Sequence, residues 1–121
     1  MATPNVNKLK LSGSTDGCGI LVAATSSPGT AIHTAVTGTG NDNWDEVWLW
    51  AMNTDTSARK LTLELGGTTA GFLIEVTIGA EAGLVLVCPG LIFQNGKALA
   101  AFAAATNVVN IHGFVNRVVA A

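Results

Sequence analysis

Charge is scarce in this chain. Of its 121 residues, 8 are acidic and 6 are basic, 12% in all, which leaves a formal charge of −2. The basic residues are scattered and form no stripe of the kind that holds a phosphate backbone, so nucleic acid is not expected as a partner. Long apolar runs are also missing. None approaches the roughly 20 residues needed to span a bilayer, and the start, MATPNVNKLKLS, lacks the apolar middle of a secretory signal. The expectation is no membrane and a product made in the cytoplasm. Cysteine is limited to Cys18 and Cys88, too few and too far apart for a disulfide framework or a zinc site, so free, buried thiols are expected.

Catalytic signatures are lacking in the same way. His33 and His112 stand alone, with no Cys, Asp or Glu at metal-ligand spacing. Each reads as a strand-face histidine satisfied by a neighbour. Asp45 with Glu46, or Glu64 with Glu75, supplies a carboxylate pair of the type used on glycosidic bonds, but each suits the solvated side of a strand or a loop rim better. Ser12, Ser14 and Ser57 have no nucleophile elbow around them. Gly38-Thr39-Gly40 lacks the lysine and third glycine of a phosphate-cradling loop. The reading is a protein with no catalytic residues, no cofactor and no metal.

What the sequence does have is apolar surface and strand patterning. Hydrophobic residues make up 49%, diluted by alanine and by 14 glycines. A domain of this length buries a real core without staples. The remaining apolar excess, with exposed sheet edges, points to an obligate assembly. The stretch WDEVWLWAMNTDTSARKLTLELGG, Trp44 to Gly67, is the clearest segment. Val47, Leu49 and Ala51 alternate with Trp48, Trp50 and Met52, so both faces of that strand are apolar. Asn53 to Ser57 then favours a turn, and Leu61, Leu63 and Leu65 alternate with Lys60, Thr62 and Glu64. The segment reads as a central hairpin.

Other strands are expected at Lys8 to Leu11 as an edge, at Ile20 to Ala24, and at Thr30 to Thr37. Further strands follow at Phe72 to Ile78, at Leu84 to Cys88 ending in Pro89-Gly90, and at Val109 to Asn116. Asn95-Gly96 is a hairpin signal. The alanine-rich Lys97 to Thr106 favours a helix by propensity, yet its place between a turn and a strand reads as a strand. Short strands at about ten-residue spacing predict an all-β, single-domain β-sandwich, with a jelly roll as first choice. Residues 1–11 form an extended N-terminal arm with a possible edge strand, and 12–121 form the sandwich. Trp48 and Trp50 share a strand face, as a sugar-binding platform would require. Met52 continues that face, which favours core or interface packing.

The runs DNWDEVWLWAMNTDTSARKLTLELGGTT, LIEVTIGAEAGLVLVCPG and NVVNIHGFVNRV resemble small virion proteins of tailed bacteriophages, of the head decoration or cement type. That resemblance implies a rigid sandwich on the capsid exterior, bound between major capsid protein subunits and to sister copies as a dimer or trimer. The interface candidates are then Val6, Lys8, Lys10, Trp44, Trp48, Trp50, Arg59, Phe114 and Arg117. Two other readings stand beside it. One is a carbohydrate- or receptor-binding module of a phage tail or appendage. The other is a small hydrolase, which requires His33 or His112 to meet a carboxylate in a cleft.

Overall fold

Alternating side chains only hold a strand in place when each face has something to meet. The computed structural model, which describes residues 5–120, supplies those partners in two antiparallel sheets. The front sheet contains β1 (Asn5–Lys10), β2 (Ile20–Leu21), β4 (Asn43–Asn53), β7 (Val85–Phe93) and β9 (Val109–Val119). β1 and β2 share one flank of β9, and the order continues through β4 to β7. The back sheet contains β3 (Thr30–Thr34), β5 (Arg59–Leu65), β6 (Leu73–Ile78) and β8 (Ala98–Ala103), in the order β3-β8-β5-β6. The architecture is an all-β sandwich in a single domain. Among the described residues no helix is long and apolar enough to cross a membrane.

The pairings nest. β1 and β2 pair with β9, β3 with β8, β4 with β7, and β5 with β6, all antiparallel. A single long hairpin rolled into two layers has this connectivity. Between the layers lie Val47, Leu49, Ala51, Ile111 and Val115 from the front, and Ile32, Leu61, Leu63, Ile78 and Leu99 from the back, all buried. Each of the Val, Leu and Ile side chains among them contributes about 1.5–3 kcal/mol by leaving water.

Several expectations change. Trp44 to Gly67 reverses direction but is no hairpin, because β4 pairs with β7 and β9 while β5 pairs with β6 and β8. The turn is an arch between sheets. Its pivot is Asn53, 2% exposed, whose Nδ2 donates to the carbonyls of Ser57 (2.9 Å) and Ile78 (3.1 Å) and whose Oδ1 accepts from the Asp55 amide (3.0 Å). Asn95-Gly96 is likewise an arch. Both residues have the positive φ expected, 65° and 64°, yet they connect β7 of the front sheet to β8 of the back sheet.

Pro89-Gly90 does not end a strand. β7 runs through it as an edge strand with two register shifts against β4, and an edge or a bulge is where a residue without an N–H is tolerated. β3 stops at Thr34, and a register shift between Ala31 and His33 leaves Ile32 and His33 both buried. The alanine-rich segment is strand β8, paired on both sides, so tertiary pairing overrides helix propensity. The edge strand expected at Lys8 to Leu11 begins earlier, at Asn5, and residues 1–4 of the arm lie outside the described residues. Cys18 and Cys88 are both free, but only Cys88 is buried. Cys18 is exposed because it sits in a turn closed by its own amide on Thr15 and by Ser14 Oγ on its carbonyl.

Candidate docking face

With Asp45, Val47, Leu49 and Ala51 facing in, the pleat sends Trp44, Glu46, Trp48, Trp50 and Met52 to the outside of the front sheet. β9 does the same with His112, Phe114, Asn116 and Val118. The rings form one row. Trp48 and Trp50 have centroids 6.2 Å apart at 19°, and Trp50 and Phe114 lie 6.0 Å apart at 28°. Spacings and angles of this kind are favourable for aromatic pairs. Lys8 Nζ stands 4.2 Å from the Phe114 centroid, a cation over a ring face.

The polar atoms within this row are satisfied from inside. The Trp48 indole N–H donates to Glu46 Oε1 at 2.6 Å, and Asn116 Nδ2 donates to the same oxygen at 3.2 Å. Those bonds hold the Glu46 carboxyl below its usual range. Gly90, at φ 76°, lies under the Trp48 ring, where a Cβ would collide with it. Around the row stand exposed apolar side chains: Val6 on β1 (62%), and Leu86 (46%) and Ile92 (64%) on β7. His112 sits across from Trp50 and packs against Gly19, with its Nε2 buried and unpartnered. The outer side of the back sheet is different in character. There Lys60, Thr62, Glu64, Glu75, Thr77 and the small Ala98 and Ala100 predominate, with Leu73 and Phe102 as the larger apolar side chains. Glu64 is covered by the neighbouring loop, accepting from Ser27 Oγ (2.6 Å) and the Gly29 amide (2.7 Å).

Of the interface candidates, Val6, Lys8, Lys10, Trp44, Trp48, Trp50 and Phe114 fall together on the front face. Arg59 and Arg117 do not. Arg59 opens β5 and donates to Asp55 Oδ2 at 2.7 Å, beside the arch. Arg117 turns the other way, toward the core. Its Nε and Nη2 donate to both oxygens of Asp45 at 2.8 and 3.0 Å. Leu86, Pro89 and Ile92 were missed because the bulges in β7 break the alternation that would have revealed an outer row. The signal was the unbroken apolarity of that segment.

Asp45 anchors the second polar cluster. It is fully buried, and besides Arg117 it accepts from His33 Nε2 (2.7 Å) and the Val36 amide (3.1 Å). Burial pushes the Asp45 carboxyl up, but the bonds from Arg117, His33 and Val36 outweigh it and hold the group below its ordinary value. The same pair raises Arg117 above its own. His33 Nδ1 accepts from the Ser12 amide at 3.0 Å, so Nε2 carries the proton given to Asp45. A histidine does therefore meet a carboxylate, as the hydrolase reading requires. The pair is sealed in the sandwich, though, with both ring nitrogens engaged and His33 only 4% exposed, so it has no access to a substrate. Its role is to join β3 to β4 and β9 across the layers. Cys88 is similarly inert: burial pushes its thiol up, and Sγ donates to the Val47 carbonyl. No group of three or more His, Cys, Asp or Glu placed to hold a metal ion occurs among the described residues.

The front face therefore offers apolar area, ring faces, the Glu46 carboxylate and lysines along one edge. Set against known proteins, the chain matches no family model, no curated protein and no solved structure.

Proposed function

We propose that this chain is a structural virion protein that decorates and stabilises a bacteriophage capsid by binding between major capsid protein subunits. The observation that carries the assembly role is the aromatic row of Trp48, Trp50 and Phe114 on an open sheet face, bordered by exposed Val6, Leu86 and Ile92. A patch of this kind is a surface to be covered by other protein. The capsid setting comes from the resemblance of the Asp42 to Thr69, Leu73 to Gly90 and Asn107 to Val118 runs to phage decoration proteins. The nested strand pairing supports a jelly roll as the fold in which the face is presented. A chain that binds the expanded shell and not its immature form stabilises that shell by mass action over many copies.

The test is addition of the purified chain to expanded capsids that lack it. The expected result is stoichiometric binding and greater resistance to heat. Capsids equally robust with and without the chain would overturn the proposal.

A second reading has one observation in its favour. Near-parallel rings on an open sheet are also how a β-sandwich holds a sugar, which is the carbohydrate- or receptor-binding alternative. Against it, the Trp48 N–H and Glu46 Oε1, polar atoms that would fix a sugar's hydroxyls, already bond to each other. Quenching of tryptophan fluorescence by glycans would favour this reading, and silence across a glycan array would remove it.

A further inference from the structure

We infer that the outer face of the front sheet is the interface of a two-fold dimer, packed face to face on the same sheet of a second copy. This rests on the assembly reading above and names the occupant of the face. Area is the first argument. β4 and β9 have 11 residues each, which at about 3.3 Å per residue makes the face about 36 Å long. β1 and β7 are shorter, with 6 and 9 residues, so at about 4.8 Å per strand the four cover about 590 Å2, near the low end of the roughly 600–1,000 Å2 per partner of a stable interface.

Shape and polarity are the second. Two sheets pack well when their twists match, and identical sheets match by construction. Because the Trp48 N–H and Asn116 Nδ2 both donate to Glu46 Oε1, the row turns these donors inward and presents ring faces with the second Glu46 oxygen beside them. An equally apolar face meets it best.

Charge is the third. One cross-strand row reads Lys8, Asn116, Glu46, Ile92 from β1 to β7. A two-fold axis parallel to the strands lays β1 over the partner's β7 and β9 over the partner's β4. Lys8 then stands one strand spacing to the side of the partner's Glu46 across the roughly 10 Å between facing sheets, a gap that the two side chains span together. The aromatic row of one copy lands on that of the other.

The experiment is sedimentation and fluorescence of the full chain under reducing conditions, from nanomolar to near-millimolar concentration. All 3 tryptophans lie on the inferred interface, so their emission reports on it directly. The expected result is a particle of twice the 12.3 kDa chain mass, with emission that shifts to the red on dilution. Leu86→Lys and Ile92→Lys change side chains already exposed in the isolated chain, so they leave the fold intact, and each is expected to weaken dimerisation at least tenfold. Thr77→Lys, on the outer side of the back sheet, is expected to leave it unchanged. A wild-type monomer throughout the range, or a dimer indifferent to Leu86→Lys and Ile92→Lys, overturns the inference. A monomer that still binds capsids would end the dimer and leave decoration standing. A front-face dimer that ignores capsids would support the dimer and end decoration.

Discussion

A fully buried carboxylate survives in a small sandwich only when donors replace the water it has lost, and Asp45 has four, two from Arg117 and one each from His33 and Val36. Each of the four points a hydrogen at it. Asp45→Asn turns one acceptor oxygen into an NH2 facing donors, and it leaves Arg117 without a counter-charge. Removing one side of a buried pair costs about 3–5 kcal/mol, and because the Arg117 side chain keeps 27% of its exposure the lower figure, about 3 kcal/mol, is expected in urea titration. The pH dependence follows from the lowered carboxyl. A group that binds its proton more weakly folded than unfolded adds stability that is complete above the ordinary aspartate value of about 4 and is lost as pH falls through the folded value. The wild type is therefore expected to lose stability below about pH 4, with the Asp45→Asn variant flatter over the same interval. Equal slopes for the two proteins would show that Asp45 does not drive the acid limb. The cluster was legible in principle. Asp45 continues the inward row Val47, Leu49, Ala51, and Arg117 continues Val109, Ile111, Val115, so alternation places both charges inward, and the pairing of β4 with β9 then brings them together.

Strands and their faces could be read from short-range alternation, but their partners could not. Leu61, Leu63 and Leu65 announce β5 by period two, and the same rule sorts the two sides of β4. Whether the turn after β4 returns within one sheet or crosses to the other depends on which distant strand fills the neighbouring slot, and no local residue encodes that. β9 takes one side of β4 and β7 the other, so β5 has no place beside it. At Asn95-Gly96 the turn geometry was legible and the sheet it led into was not. The arch after β4 does carry a local device, the buried Asn53 side chain bonded to two carbonyls and an amide. Asn53→Ala removes all three bonds and leaves the Ile78 carbonyl buried beside an apolar methyl. A cost of about 2–3 kcal/mol is expected from chemical denaturation. A loss under about 0.5 kcal/mol, the ordinary scatter of surface substitutions, would mean that the arch is held by its strands alone.

Taken as a whole molecule, the sandwich is two-sided: one outer face mainly polar with Leu73 and Phe102 among its side chains, the other aromatic and apolar with lysines at its edge. A net charge of only −2 does little to keep such faces apart in solution. If the front face is closed by a second chain, folding and association are one equilibrium, and stability must depend on concentration. For a dimer that separates as it unfolds, each tenfold rise in protein adds about 0.7 kcal/mol per chain, half of the 1.4 kcal/mol that a factor of ten is worth. Unfolding entropy of about 2.1 cal/mol/K per residue gives about 0.25 kcal/mol/K for a chain of 121 residues. Tm is therefore expected to rise by about 3 °C for each tenfold increase in concentration, measured by calorimetry or circular dichroism well above the dissociation constant. In the Ile92→Lys variant the same slope should fall toward zero at low concentration, because a monomer unfolds without regard to its neighbours. A Tm that is flat across a hundredfold range in the wild type would mean that the aromatic face is stable in water by itself, with Trp48, Trp50 and Phe114 covering one another well enough to need no partner.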